Sequence, residues 1–260
     1  SAAVKLARAK TGRKYIAFPF DHPFFSYDDW FIGKTECNKG VPSEFSELSL
    51  TFKSCDISSL KRLFEKYPNQ IAGVIMEPER VSCSNCKCDI SVASYLKKAI
   101  QLTQSEGAVF ILDEMVTGFK IDLPGAISKY NLEPDIATWG KGIANGFSFC
   151  ALTGKEEIMK LGGINRKGME KVFLTSTTHG GETHSIRAAI QTINIFLENK
   201  VVEHNHLIGN DLIKKLDHLI EKYNIQNSIE VIPCNWIIAF RFKNSVGEDS
   251  SINRTFFLQE

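Results

Sequence analysis

Apolar residues along this chain fall into short strand-like runs separated by stretches of helical spacing. The runs cover residues 14–20, 47–52, 71–76, 109–112, 136–138, 149–153, 172–176 and 236–242. Residues 71–76 read IAGVIM, an unbroken apolar run bounded by polar residues, as expected of a strand buried on both faces of a parallel sheet. Helical spacing marks residues 2–10, 58–67, 91–106, 155–161, 182–199 and 203–223. Gly12 and Gly107 stand where helix stops belong, and Asp56 or Ser58 stands near the start of the second helix. Residues 22–29 are irregular and aromatic, with Phe24, Phe25 and Tyr27 ahead of Trp30, while residues 251–260 open a new apolar helix. Strands alternating with helices predict an α/β domain built on a mainly parallel central sheet flanked by helices.

At 260 residues the chain can bury a large core, as one large domain or two small ones. Its 31 basic and 30 acidic residues leave a formal charge of +1, with no basic stripe and no basic amphipathic segment. That balance argues against nucleic acid or a membrane surface as partner. No apolar run reaches transmembrane length, and no signal-peptide pattern is present. The seven cysteines, an odd count, predict reduced thiols and a cytoplasmic location. Cys83, Cys86 and Cys88 form C-x-x-C-x-C, a spacing that can bind zinc or exchange disulfides. A tetrahedral site needs a fourth ligand, and the neighbouring sequence supplies none, so free loop thiols are expected and no metal.

The candidate chemistry lies at two strand ends. The run 109–112 ends on Asp113 and Glu114, and the step at 136–138 ends on Trp139, Gly140, Lys141 and Gly142. A lysine between two glycines has backbone room to approach a ligand. A carboxylate at a neighbouring strand end faces the same rim, where open α/β sheets bind ligands. A Schiff-base lysine opposite an aspartate for a pyridinium nitrogen is how pyridoxal phosphate is held. Taken singly, Asp113 and Glu114 also fit a helix N-cap with solvent-facing charge, and Lys141 fits a surface lysine on a turn.

Three segments resemble class III aminotransferases, fold-type I pyridoxal phosphate enzymes that include glutamate-1-semialdehyde aminomutase. They are D-E-M-V-T-G-F-K from Asp113, P-D-I-A-T-W-G-K-G-I-A-N-G from Pro134 and S-T-T-H-G-G-E-T from Ser176. The resemblance spans nearly the whole chain and implies that family's large domain, with its seven-stranded type of central sheet. It implies that Lys141 carries the Schiff base and moves a proton, and that Asp113 pairs with the ring nitrogen. Met115 stands where the family usually has valine under one ring face, and a thioether makes the same apolar contact. For the other face the family uses an aromatic followed by His-Gly, and counting back from Trp30 puts Phe24 there. Phe25 and Ser26 replace the histidine and glycine, which leaves the stacking residue open between Phe24 and its neighbours, with core packing the alternative for either. Thr178 aligns with a threonine that reaches the cofactor phosphate of the partner subunit, implying a homodimer. Gly180-Gly181 opening a helix suits anion contacts. Glu77 matches the family's E-P step and either lines the site or sits in an ion pair, while His179 and His184 have no assigned role.

Residues 1–8 resemble the family helix that follows a phosphate-holding turn, which places that turn ahead of residue 1. Residues 1–260 are thus expected to be the cofactor-binding large domain, truncated at both ends, with an N-terminal segment and a C-terminal small domain missing. Alone, such a chain is expected to bind the cofactor weakly and turn over little. The implied reaction is amino transfer from an amino donor to a ketone or aldehyde acceptor. A 2,1-aminomutase and a non-catalytic domain that keeps the fold are the alternatives.

Overall fold

The structure is a computed structural model and describes residues 1–22, 24–79, 91–163, 170, 172 and 180–259. In chain order the elements are α1 (Ala2–Thr11), β1 (Tyr15–Pro19), α2 (Asp29–Ile32), α3 (Ser43–Glu47), β2 (Ser49–Phe52), α4 (Ile57–Lys66), β3 (Ile71–Met76), α5 (Val92–Ser105), β4 (Val109–Asp113), α6 (Ala126–Lys129), β5 (Ile136–Trp139), β6 (Ala151–Gly154), α7 (Glu156–Met159), α8 (Thr183–Glu198), α9 (Val201–Lys222), β7 (Ile229–Ile232), β8 (Ala239–Phe242) and α10 (Ser251–Gln259). Helix boundaries follow local chemistry. Asp56 accepts the Ser59 N–H at 3.0 Å to cap α4, and Ser91 accepts that of Ser94 at 3.2 Å to cap α5. Gly12, with φ 68°, ends α1 and donates its N–H to Arg8 O at 2.8 Å.

The described residues form two compact units, one from those within 1–78 and 91–193, the other from residue 79 and residues 194–259. The first is built on a six-stranded sheet in the order β2-β1-β3-β4-β5-β6. The first five of these strands pair parallel, and β6 runs antiparallel to β5. Every residue of β3 and β4 is buried, which is why β3 is continuously apolar and β4 is apolar up to Asp113. Leu6 and Ala7 of α1 share one core cluster with Ile16, Phe18, Ile75, Ile111, Ile136 and Ile158. The mainly parallel α/β sheet is as predicted. Among the described residues the sheet has six strands, and residues 173–176 of the predicted run at 172–176 lie outside them.

In the second unit β7 pairs antiparallel with β8. Ile220 of α9 packs with Ile229 and Val231, joined by Leu216, Phe240 and Phe242. Phe257 of α10 rests on Phe242, with ring centroids 5.1 Å apart. Among the described residues no helix is long and apolar enough to cross a membrane.

The parallel strands bring their carboxyl ends to one rim of the first unit. Past β1 comes His22, past β3 Glu77, at the end of β4 Asp113 and Glu114, and past β5 Gly140 and Lys141.

Candidate active site

Asp113 closes β4 directly opposite Thr138 of β5. Its carboxylate is 5% exposed, and two donors reach the same oxygen: the Thr138 hydroxyl and the Met115 N–H each lie 3.0 Å from Oδ1. Among the described residues no hydrogen bond reaches Oδ2. Burial pushes this carboxyl above the ordinary aspartate range, opposed by the Met115 N–H, the Thr138 hydroxyl and the charge of Lys141. Both residues stand at the carboxyl-end rim, Asp113 closing β4 and Lys141 following β5.

Glu114 has a different job. It is 0% exposed, and its carboxylate accepts from the Thr117 hydroxyl and, at 2.8 Å, from the Ile127 N–H. A Cβ on Gly125 would lie 2.6 Å from Glu114 Oε2, so the chain passes this carboxylate only as glycine. Burial raises its pKa, opposed by the Thr117 hydroxyl and the N–H groups of Ile127 and Ala126. Glu114 thus ties the start of α6 back to the end of β4. The alternative of solvent-facing charge on Asp113 and Glu114 is corrected: the strand ends bury both.

Lys141 follows β5 in a left-handed conformation, φ 48°, and begins a 3-10 turn through Ala144. That conformation costs a non-glycine residue on the order of 1–2 kcal/mol. The neighbouring chain fixes it. Ile143 and Ala144 are buried, and the Trp139 indole donates to Thr153 Oγ1 at 2.8 Å. The Trp139 ring also meets Phe119 edge-on at 6.3 Å. The Lys141 side chain itself is exposed. Lys120, on the loop after Glu114, is half-buried, and burial followed by the charge of Lys141 lowers its pKa.

Met115 is half-buried beside Asp113. Of the two candidate aromatics, Phe25 is the core residue. It packs edge-on to Phe18 and Phe31 at 5.9 and 5.7 Å and stacks on His22 at 5.6 Å. Phe24 is 56% exposed and touches Phe31 edge-on at 5.7 Å. His22, to which sequence reasoning gave no role, is buried, and its Nδ1 accepts the Glu77 N–H at 3.3 Å, joining the ends of β1 and β3. Glu77 is half-buried at that junction. His184 pairs with Glu182 at 3.1 Å. Thr178 and His179, with Cys83, Cys86 and Cys88, lie outside the described residues. Among those described, no group of three or more His, Cys, Asp or Glu side chains could hold a metal ion.

The family model for aminotransferase class-III matches residues 31–254, and the chain belongs to that family. The 3-aminobutyryl-CoA aminotransferase of Cloacimonas acidaminovorans is 28% identical over 258 residues, covering 99% of this chain and 58% of that relative. Two solved structures share the fold. An omega-transaminase from Sphaerobacter thermophilus gives a TM-score of 0.80 at 19% identity, over 98% of this chain and 60% of its own. The PLP internal-aldimine form of the FumI protein of Sphingopyxis sp. MTA144 gives 0.78 at 22% identity, over 94% and 55%. The chain therefore spans a little over half the length of these relatives.

Proposed function

We propose that this chain is the cofactor-bearing part of a pyridoxal phosphate-dependent aminotransferase, moving an amino group from an amino donor to a ketone or aldehyde acceptor. The observation that carries the reading is the one-sided hydrogen bonding of Asp113. Its two donors occupy Oδ1, and Oδ2 is left to accept from a protonated ring nitrogen. A buried acid held this way, one strand from a lysine on fixed backbone, fits the cofactor's two ends of recognition.

In this reading Lys141 holds the cofactor through Nζ, Asp113 meets the ring nitrogen, and Met115 and Phe24 cover the ring faces. Thr178 serves the phosphate across a homodimer interface. When bound, the cofactor supplies an electron sink for the carbanion formed at the donor carbon. Once released from the cofactor, Lys141 Nζ would take the proton from that carbon and deliver it to the cofactor carbon to which the lysine had been joined. Asp113 would hold the ring nitrogen's proton in place, and the packed Trp139 turn fixes the backbone of Lys141.

The exposed Lys141 has no packing role, which disfavours a non-catalytic domain that keeps the fold for assembly alone. Two of the relatives compared above, the 3-aminobutyryl-CoA aminotransferase and the omega-transaminase, are aminotransferases by name, which favours transfer between two molecules over a 2,1-aminomutase. We further infer that residues 1–260 form the family's large domain and that it works as a cytoplasmic homodimer. The odd count of seven cysteines supports a reducing compartment, and the exposed Ile186 and Ile190 on α8 support a partner surface.

The test is an absorption spectrum of the protein mixed with pyridoxal phosphate, beside Lys141→Ala. The long-wavelength band of lysine-bound pyridoxal should appear in the wild type, be absent from the variant, and bleach when an amino donor is added. A band of equal height in Lys141→Ala would overturn the assignment.

A further inference from the structure

Gly140 has φ −171° and ψ −155°, an extended conformation open to any residue. Backbone freedom does not explain why glycine stands there; space does. A Cβ at this position would lie 2.3 Å from Met115 Cε and 2.8 Å from Met115 Sδ, well inside van der Waals contact. The next neighbour, Cys150 Cβ, is 3.6 Å from the same point, an ordinary contact. Met115 by itself closes the space. Its backbone N–H, meanwhile, donates to Asp113 Oδ1 at 3.0 Å. One residue therefore holds the carboxylate of Asp113 with its main chain and seats its thioether on the glycine that precedes Lys141.

We propose that Met115 is a positioning residue that locks Gly140 and, through it, the backbone of Lys141 in register with Asp113. The proposal rests on the cofactor reading above, and it assigns Met115 a role separate from covering a ring face. A left-handed lysine persists only where its surroundings over-determine it. Buried Ile143 and Ala144 hold the far side of the turn, and the Met115 thioether holds the near side. Methionine tips are adaptable. An alanine at position 140 thus displaces the thioether from its seat while the fold remains.

The test compares wild type, Gly140→Ala, Met115→Val and the double variant, each titrated with pyridoxal phosphate, reduced with borohydride and mapped for pyridoxyl on Lys141. Valine lacks the Sδ and Cε that occupy the space, so the double variant accommodates the new Cβ. Melting temperature without cofactor is the second readout. Gly140→Ala should need about tenfold more cofactor for half-fixation, with its melting temperature within about 4 °C of wild type. The double variant should return to within about twofold of Met115→Val. Should Gly140→Ala alone fail to fold, a double variant that folds yet fixes cofactor no better than Met115→Val supports the lock. Wild-type-like fixation by Gly140→Ala or by Met115→Val overturns it. Absence of pyridoxyl from wild-type Lys141 would sink the cofactor reading and this role together, whereas fixation that ignores position 140 sinks the positioning role alone.

Discussion

Thr138 stands opposite Asp113 in the β4–β5 register, and its hydroxyl donates to Asp113 Oδ1 at 3.0 Å. The bond joins the two strand ends that carry the acid and the lysine. Thr138→Val keeps the shape of the side chain and removes the donor. A hydrogen bond to a charged group is worth about 1.5–3 kcal/mol. Its loss moves the Asp113 pKa further up, and cofactor retention should weaken by about tenfold. Retention measured against pH should show its acid limb displaced to higher pH; an unchanged profile would contradict this.

Burial already holds Asp113 above its ordinary range, against the Met115 N–H, the Thr138 hydroxyl and the Lys141 charge. A raised pKa means that the folded state favours the protonated acid. The stability this provides is full below the unfolded value of about 3.9 and is lost as pH rises through the higher folded value. Asp113→Asn keeps an acceptor for Thr138 and Met115 and has no proton to lose. In cofactor-free protein, wild type should therefore lose stability relative to Asp113→Asn as pH rises through that window. Urea midpoints from about pH 4 to about pH 8 check the sign. A constant gap would count against the buried acid.

Glu114 should matter for folding more than for chemistry. Glu114→Ala removes the acceptor for Thr117 and for the first N–H groups of α6. Orphaned buried donors cost about 1–3 kcal/mol each, so a loss of about 3 kcal/mol in urea unfolding is expected. A loss below about 1 kcal/mol would show that the loop holds itself.

The neighbouring aromatics should separate cleanly. Phe25→Ala removes a ring packed on Phe18, Phe31 and His22 and should cost about 3 kcal/mol of stability. Phe24→Ala should stay within about 1 kcal/mol of wild type and lower cofactor retention instead. The reverse pattern in paired urea and cofactor titrations would move the ring-facing role to Phe25.

Much of this arrangement was legible before the structure. β3 and the first four residues of β4 are continuous apolar runs because a parallel sheet buries both faces, and a charge ending such a run marks the rim. Asp113 and Lys141 follow from that pattern. The helices α2, α3 and α6 are four or five residues long, too short for a period to register. β7 offers four residues whose strand character depends on the partner β8. Glu114 reads as surface charge until Gly125 and Ile127, a loop away, wrap onto it. His22 gains a role only because β1 and β3 are neighbours. Gly140 looks like a backbone device beside a reactive lysine and proves to be a matter of volume.

If Lys141 is the residue that takes the cofactor, Lys120 provides the sharpest control. Lys120 is half-buried on the adjoining loop, and its pKa is lowered by burial and then by the charge of Lys141. Borohydride reduction of the protein with pyridoxal phosphate, followed by peptide mapping, reads the attachment directly. At saturating cofactor, pyridoxyl is expected on the Lys141 peptide and none on that of Lys120. Label on Lys120, or label scattered over surface lysines, would contradict it.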